Sequence, residues 1–350
     1  MLNRKKTRLL KVRDISIGGG SPISVQSMTN TDTKDVDATV SQILSFEKEG
    51  CDLSRSAINS REDARAIVEI KERTSIPFIS DIQFDPDLAM YALEYGTDAL
   101  RLNPGNIDSK KDLERIVKEC INKSVPIRIG VNSGSINQKM IDKYGGVNVN
   151  SLVYSALEEV KAIEKLGFDK ICVSIKSSDP DTMIEANKLF STLSDCPLHL
   201  GVTEAGPIGP ATIKSSIGIG SLLYMGIGDT IRVSITGDPV KEVQIGNDIL
   251  KYLKLKNRGV NLVSCPTCAR TRLNLIKLVE DAEKRLKHID KNISVAIMGC
   301  PVNGPGEAKE ADIGIACNKE TGVIFKKGKI IKRLKEKDLI DGLISEIEGM

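Results

Sequence analysis

No tryptophan occurs in the 350 residues, and aromatic side chains make up only 3% of them. So few rings leave little with which to stack exposed bases, which argues against a single-stranded nucleic-acid binder. One-sided charge is missing as well. Fifty basic against 47 acidic residues leave a formal +3, so no global field draws the chain to DNA or to a membrane surface. No apolar run reaches the length of a spanning helix. The N-terminal MLNRKKTRLLKVRDISIGGG is basic but too interrupted by charge for a signal peptide. A cytoplasmic protein is expected, with no nucleic acid and no membrane as partner. Only two histidines are present, His199 and His288. The first reads as a packed core residue and the second as part of a solvated helix, which disfavours both a Ser-His-Asp mechanism and a His-rich metal site.

What is present begins with alternation. Hydrophobic residues make up 40% of the chain, enough for sizeable cores. From residue 25 to 235, short β-branched runs alternate with helical patterns: VQSM, DLSRSA, PFISDI, ALRLNP, PIRIGV, KICVSIK, PLHLGVTE and TIRVSI. Asp85-Pro86, Asp179-Pro180, Gly209-Pro210 and Asp238-Pro239 mark helix starts. Eight such βα units predict a closed (β/α)8 TIM-type barrel. A doubly wound sheet is the alternative, weakened because no G-x-G-x-x-G follows the first strand.

Period-two parity then picks out one end of the barrel. Arg101, Arg128, Lys176 and Arg232 each oppose an aliphatic face on their own strands, and Arg55 follows the second. A single such charge reads as a solvated strand end; the same placement in several strands reads as a site. The proposed mouth sets five cations against Asp81 and Glu204, a focused positive cleft suited to a phosphorylated or diphosphorylated small molecule. Asp81 and Glu204 are candidates for binding hydroxyls or moving protons.

Residues 1–257 are expected to form this substrate-binding barrel, and 258–350 a small α+β domain. The second domain is expected to hold a strand NLVSC, a helix from Ala269 to about His288, a strand SVAIMGC, then DIGIAC, GVIFKKGKII and a closing helix from about Glu336. Eight cysteines in a cytoplasmic chain read as thiols. Cys51, Cys120, Cys172, Cys196 and Cys317 suit core filling, whereas CPTC places Cys265 and Cys268 at metal-ligand spacing, just before the expected helix. Cys300 sits in the Gly/Pro loop GCPVNGPGEA. Spacing leaves three options open: a structural zinc, a redox disulfide, and an iron–sulfur cluster with Glu307 as an oxygen ligand. The cluster ranks first.

VQSMTNTDTKDVDATV, LRLNPGNI, PIRIGVNSGS, PLHLGVTEAG, GIGDTIRVS, CPTCAR and GCPVNGPGEA, in this order along nearly the whole chain, resemble the 4-hydroxy-3-methylbut-2-enyl diphosphate synthases in their short two-domain bacterial form. The resemblance implies an oxidoreductase of the methylerythritol phosphate route to isoprenoids, acting on 2-C-methyl-D-erythritol 2,4-cyclodiphosphate. It implies a [4Fe-4S] cluster on Cys265, Cys268, Cys300 and Glu307, fed by flavodoxin or ferredoxin. Glu204 and Glu307 would be catalytic. Arg55, Asp81, Gln83, Arg101, Asn103, Arg128, Asn132, Lys176, Arg232, Ser234 and Asn303 would bind substrate. Gln83 stands where the family commonly has histidine; it can position a phosphate but cannot carry imidazole's charge. The alternative function is a pterin-type or other phosphorylated-ligand transferase barrel with a structural zinc domain.

A homodimer is also expected. The last barrel helix, Pro239 to about Leu255, runs back from the mouth over ~25 Å. The connection KNRG spans only ~14 Å extended, so the second domain starts at the wrong end of its own barrel. A head-to-tail pair, each site combining one subunit's barrel with the other's cluster, resolves this.

Overall fold

Eight parallel strands carry the first part of the chain: β3 (Ser24–Met28), β4 (Leu53–Ala57), β5 (Phe78–Asp81), β6 (Ala99–Leu102), β7 (Ile127–Asn132), β8 (Ile171–Lys176), β9 (His199–Leu200) and β10 (Thr230–Ile231). Before them comes a short antiparallel hairpin, β1 (Leu10–Val12) with β2 (Ile15–Ile17). The hydrogen-bonded order is β8-β7-β6-β5-β4-β3-β10-β9. A parallel bridge between Val173 and Leu198 joins the two ends of that order. The sheet thus closes into a TIM-type barrel, and the doubly wound alternative is set aside. The computed structural model describes residues 4–350 except 104–106, 108, 137, 257–258, 270, 272–273, 301–307 and 318–320.

Side-chain alternation builds the walls. Val25, Leu100, Ile127, Ile129, Val173 and Ile231 point outward into a core shared with the surrounding helices. The helices begin where the sequence supplies a cap. Asp85 and Asp179 accept from the backbone N–H groups of Asp87 and Thr182, with Pro86 and Pro180 opening the helices Pro86–Glu94 and Pro180–Leu193. The other two expected starts shift. One helix runs Ile208–Tyr224, so Pro210 falls inside its first turn, where no N–H is needed. The last barrel helix, Val240–Tyr252, starts one residue after Pro239. At the N-terminal end of the strands, Leu10, Val12 and Ile17 of the hairpin pack on Leu53, Ile79, Ala99 and Cys172. That end is filled with hydrocarbon.

Residues 1–256 and 257–350 separate into two units. In the second, β11 (Asn261–Ser264), β12 (Ser294–Met298) and β13 (Ile313–Cys317) are parallel, and β14 (Thr321–Lys326) and β15 (Lys329–Lys335) continue the sheet antiparallel. Helices Leu275–Leu286 and Leu339–Glu348 pack on the face carrying Val295, Ile297, Ile313 and Ile315. Ala296, Met298 and Ala316 face the other way with Phe325. The helix after CPTC is shorter than expected. It starts at Leu275 because Asn274 caps it, accepting from Lys277 N–H at 3.1 Å. Cys268 therefore lies in a loop rather than at a helix N-terminus.

Candidate active site

Strand register sets Asp81, Arg101 and Arg128 abreast on β5, β6 and β7, all pointing into the barrel. Arg101 Nη1 donates to Asp81 Oδ1 at 3.2 Å and to Gln83 Oε1 at 3.1 Å, and Gln83 Nε2 donates to Asp81 Oδ1 at 3.1 Å. Gln83 thus bridges acid and base, a positioning role that needs no imidazole. Arg55 Nε lies 3.7 Å from Asp81 Oδ2 and rests on Met28 Sδ at 3.2 Å. Arg128 Nη1 donates to Gln26 Oε1 at 2.5 Å, while its fully buried Nε and Nη2 have no partner among the described residues. Two glycines make room for these long side chains. A Cβ on Gly130 would stand 2.6 Å from the Arg101 guanidinium, and one on Gly201 would stand 2.6 Å from Arg232 O and 3.0 Å from Lys176 Nζ.

Arg232 lies just past the end of β10, since that strand is shorter than its motif suggested. Its Nε and Nη2 donate to the two carboxylate oxygens of Glu242 at 3.1 Å each. Glu242 is 2% exposed and also accepts from Ser27 Oγ and from Ile235 N–H, both at 3.1 Å. Sequence reasoning missed Glu242, Gln26 and Met28. An acid on the otherwise buried stripe Glu242, Val243, Gly246, Leu250 of its helix was the available signal, and parity within VQSM was the signal for Gln26.

Electrostatics bear on the remaining cation. Lys176, at the end of β8, is buried and makes no hydrogen bond or ion pair among the described residues. Burial, together with Arg232, Arg55, Arg128 and Arg101, pushes its ammonium well below the ordinary lysine value. Burial would raise the Asp81 carboxyl, but Arg55, Arg101 and Arg128 outweigh it and hold the carboxyl down. His199 is wholly buried, and burial plus Arg128 and Lys176 keep its ring neutral. Five cations therefore face two carboxylates, Asp81 and Glu242, both already engaged, and Arg128 keeps two buried donors without a partner among the described residues.

The other expected site residues fall around this centre. Asn103 is buried, and its Oδ1 has no partner among the described residues. Asn132 ends β7, and Ser234 follows β10; both are half-buried. Glu204 is exposed beyond β9 with a left-handed backbone, φ 51°. A residue with a Cβ pays strain there, and such outliers gather at functional sites. Its segment is held on both sides, Thr203 N–H donating to Ser177 O at 3.1 Å and Gly206 O accepting from Thr236 N–H at 3.0 Å. Asn303 and Glu307 lie outside the described residues. A separate cavity of about 590 Å³, lined by Lys11, Asp98, Lys123 and Lys170 among others, shares none of these residues.

In the second unit, Cys265 and Cys300 follow the C-terminal ends of neighbouring parallel strands, and Gly299 N–H donates to Cys265 Sγ at 3.2 Å. Cys268 is exposed and Cys300 buried. Among the described residues no group of three or more His, Cys, Asp or Glu is arranged to hold a metal ion. The donor chemistry nonetheless suits iron and sulfide: two soft thiols end adjacent strands, and a third lies three residues on. Burial pushes the Cys51, Cys120, Cys172 and Cys317 thiols up to about 12. These four are core residues.

The family model described as the GcpE TIM-barrel domain matches residues 7–247, and that of the GcpE protein C-terminal domain matches residues 261–349. The chain belongs to the GcpE family. Among GcpE-family relatives, the 4-hydroxy-3-methylbut-2-en-1-yl diphosphate synthase (flavodoxin) of Caldanaerobacter subterraneus subsp. tengcongensis is 54% identical over 99% of this chain and 98% of its own length. The protein of the same name from Clostridium perfringens is 53% identical over 99% of both. A type I 3-dehydroquinate dehydratase from Clostridium difficile superposes with a TM-score of 0.52, covering 71% of this chain and 98% of that one at 14% identity. That likeness shows the barrel fold alone. Among the described residues no helix is long and apolar enough to cross a membrane.

Proposed function

We propose that this GcpE-family chain is a 4-hydroxy-3-methylbut-2-enyl diphosphate synthase, an oxidoreductase that opens and dehydrates 2-C-methyl-D-erythritol 2,4-cyclodiphosphate. The observation that carries the reading is the cation cluster of the barrel mouth, whose acids are engaged and whose Arg128 keeps two donors without a partner among the described residues. Its charge suits a cyclic diphosphate. Arg55, Arg101, Arg128, Lys176 and Arg232 hold the phosphate oxygens, and Asp81 with Gln83 fixes the guanidinium planes. Asn103, Asn132, Ser234 and Asn303 supply neutral hydrogen bonds to the remaining oxygens. The reaction takes in two electrons and a proton and releases water. Glu204, exposed on its strained turn, is placed in the role of delivering that proton to the departing hydroxyl.

Residues 258–350 are assigned as the cluster domain and 1–257 as the substrate domain. Cys265, Cys268, Cys300 and Glu307 would hold a [4Fe-4S] cluster, which when bound supplies single-electron reduction. A flavodoxin is the proposed donor, in line with the names of the relatives. The pterin-type transferase with a zinc domain is not favoured, because synthase relatives match the chain from end to end. The working form is proposed to be the head-to-tail homodimer, in the cytoplasm.

Purification without oxygen followed by iron, sulfide and zinc analysis tests the reading. About four iron and four sulfide per chain are expected for such a cluster, together with turnover of the cyclodiphosphate under dithionite. Stoichiometric zinc without sulfide would remove the reductive mechanism and leave only the anion site.

A further inference from the structure

The last strand of the five-stranded sheet is strongly basic. From Lys326 to Lys337 the chain reads KKGKIIKRLKEK. Along β15 every residue but Leu334 is exposed. Lys332 pairs with Glu346, but Lys329, Arg333 and Lys335 have no acidic partner among the described residues. Ile330 and Ile331 stand 54% and 41% exposed, and register puts Ile330 on the same face as Arg333 and Lys335, away from the helices. An exposed apolar side chain beside two cations with no acidic partner among the described residues has the make-up of a transient, charge-steered docking face.

Register ties this strand to the cysteines. Met298 pairs with Ala316, Ala316 with Val323 and Val323 with Arg333. The end of the sheet at which the chain leaves β12 for Cys300 is therefore the end that carries Arg333 and Lys335. Three strand spacings separate β12 from β15, about 14 Å. Arg333 shares a face with Val323 and Met298, away from the two helices, while Leu334 packs close to Gly342 on the helix side.

We propose that the exposed edge strand β15 is the docking surface for an acidic electron-carrier protein of the flavodoxin type, seated so that its cofactor approaches the Cys265–Cys300 end of the sheet. The choice of an electron carrier rests on the proposed synthase reading. Redox partners meet through small interfaces and rely on opposite charge for a fast encounter, which matches a strand of this size. Lysines on an edge strand also discourage strand addition, but that protection works with charge of either sign. Docking requires the positive sign, so charge reversal separates the two.

The experiment uses the full, cluster-loaded chain with Lys329→Glu, Arg333→Glu and Lys335→Glu combined. Binding of oxidised flavodoxin is followed by titration at low and high salt, beside turnover driven by dithionite. Affinity is expected to fall about tenfold or more at low salt, and the steep salt dependence of the native chain to vanish. Melting temperature and dithionite-driven turnover should not change. Native affinity with the native salt slope in the variant would overturn the proposal. If the triple reversal unfolds the domain, Arg333→Gln and Lys335→Gln decide in its place, each expected to weaken binding a few-fold. Loss of dithionite-driven turnover in the native chain would count against the synthase reading, whereas the flavodoxin titration tests β15 directly.

Discussion

Lys176 faces Arg55 from β4, Arg101 from β6, Arg128 from β7 and Arg232 beyond β10, with the neutral His199 on β9 and with Asp81 already bound to two guanidiniums. Guanidiniums keep their protons, so relief of the crowding falls to the ammonium, held below its ordinary 10.5. A bound diphosphate reverses that push. Between the lowered value and 10.5, binding should take up a proton at Lys176. Calorimetry of inorganic pyrophosphate binding should then vary with buffer ionisation enthalpy, and Lys176→Arg should bind without uptake. Identical heats in all buffers for the native chain would refute this. Stability carries the same sign. The unfolded chain binds the extra proton in that window, so Lys176 makes the native state relatively more stable as pH rises toward 10.5.

Glu242 acts through Arg232, whose two donors it fixes in one plane. Glu242→Gln should raise KM about tenfold with a smaller change in kcat, the pattern of lost binding rather than lost chemistry. Glu242→Ala should also lower stability by about 1–3 kcal/mol, because the Arg232 donors and Ile235 N–H lose their acceptor. Chemical denaturation separates the two effects. The mouth cations were legible in the sequence because parity within a strand fixes which side chains point inward. Glu242 was not, because its partner sits on another element and only closure of the barrel brings the helix against β3.

Strands at the mouth owe their long side chains to two glycines. Gly201→Ala would drive a methyl group against the Arg232 carbonyl at 2.6 Å, where backbone cannot swing aside. A loss of about 1–3 kcal/mol is expected, read as a lower melting temperature. Gly130→Ala meets only the tip of Arg101, which can move, so anion affinity should fall more than stability. The β/α alternation and most strand positions could be read from the chain, since β-branched runs and Asp-Pro caps are local signals. Element ends could not. β9 and β10 stop after two residues each, leaving Glu204, Arg232 and Ser234 in loops. The helix expected at Ala269 waits for the cap at Asn274.

For the whole molecule, the proposed sharing of a site between subunits makes a sharp demand. Glu204→Gln chains and Cys300→Ser chains, each inactive alone, should recover activity when mixed into heterodimers. Heterodimers that form yet stay inactive would sink the shared site. The hairpin at the other end of the barrel has its own consequence. With Leu10, Val12 and Ile17 wedged against Leu53, Ile79 and Ala99, the N-terminal end of the barrel is stoppered. Whatever enters at the mouth finds no exit at that end, water and product included. A product that keeps the diphosphate should compete with substrate for the same cations, which initial rates at several product concentrations would show.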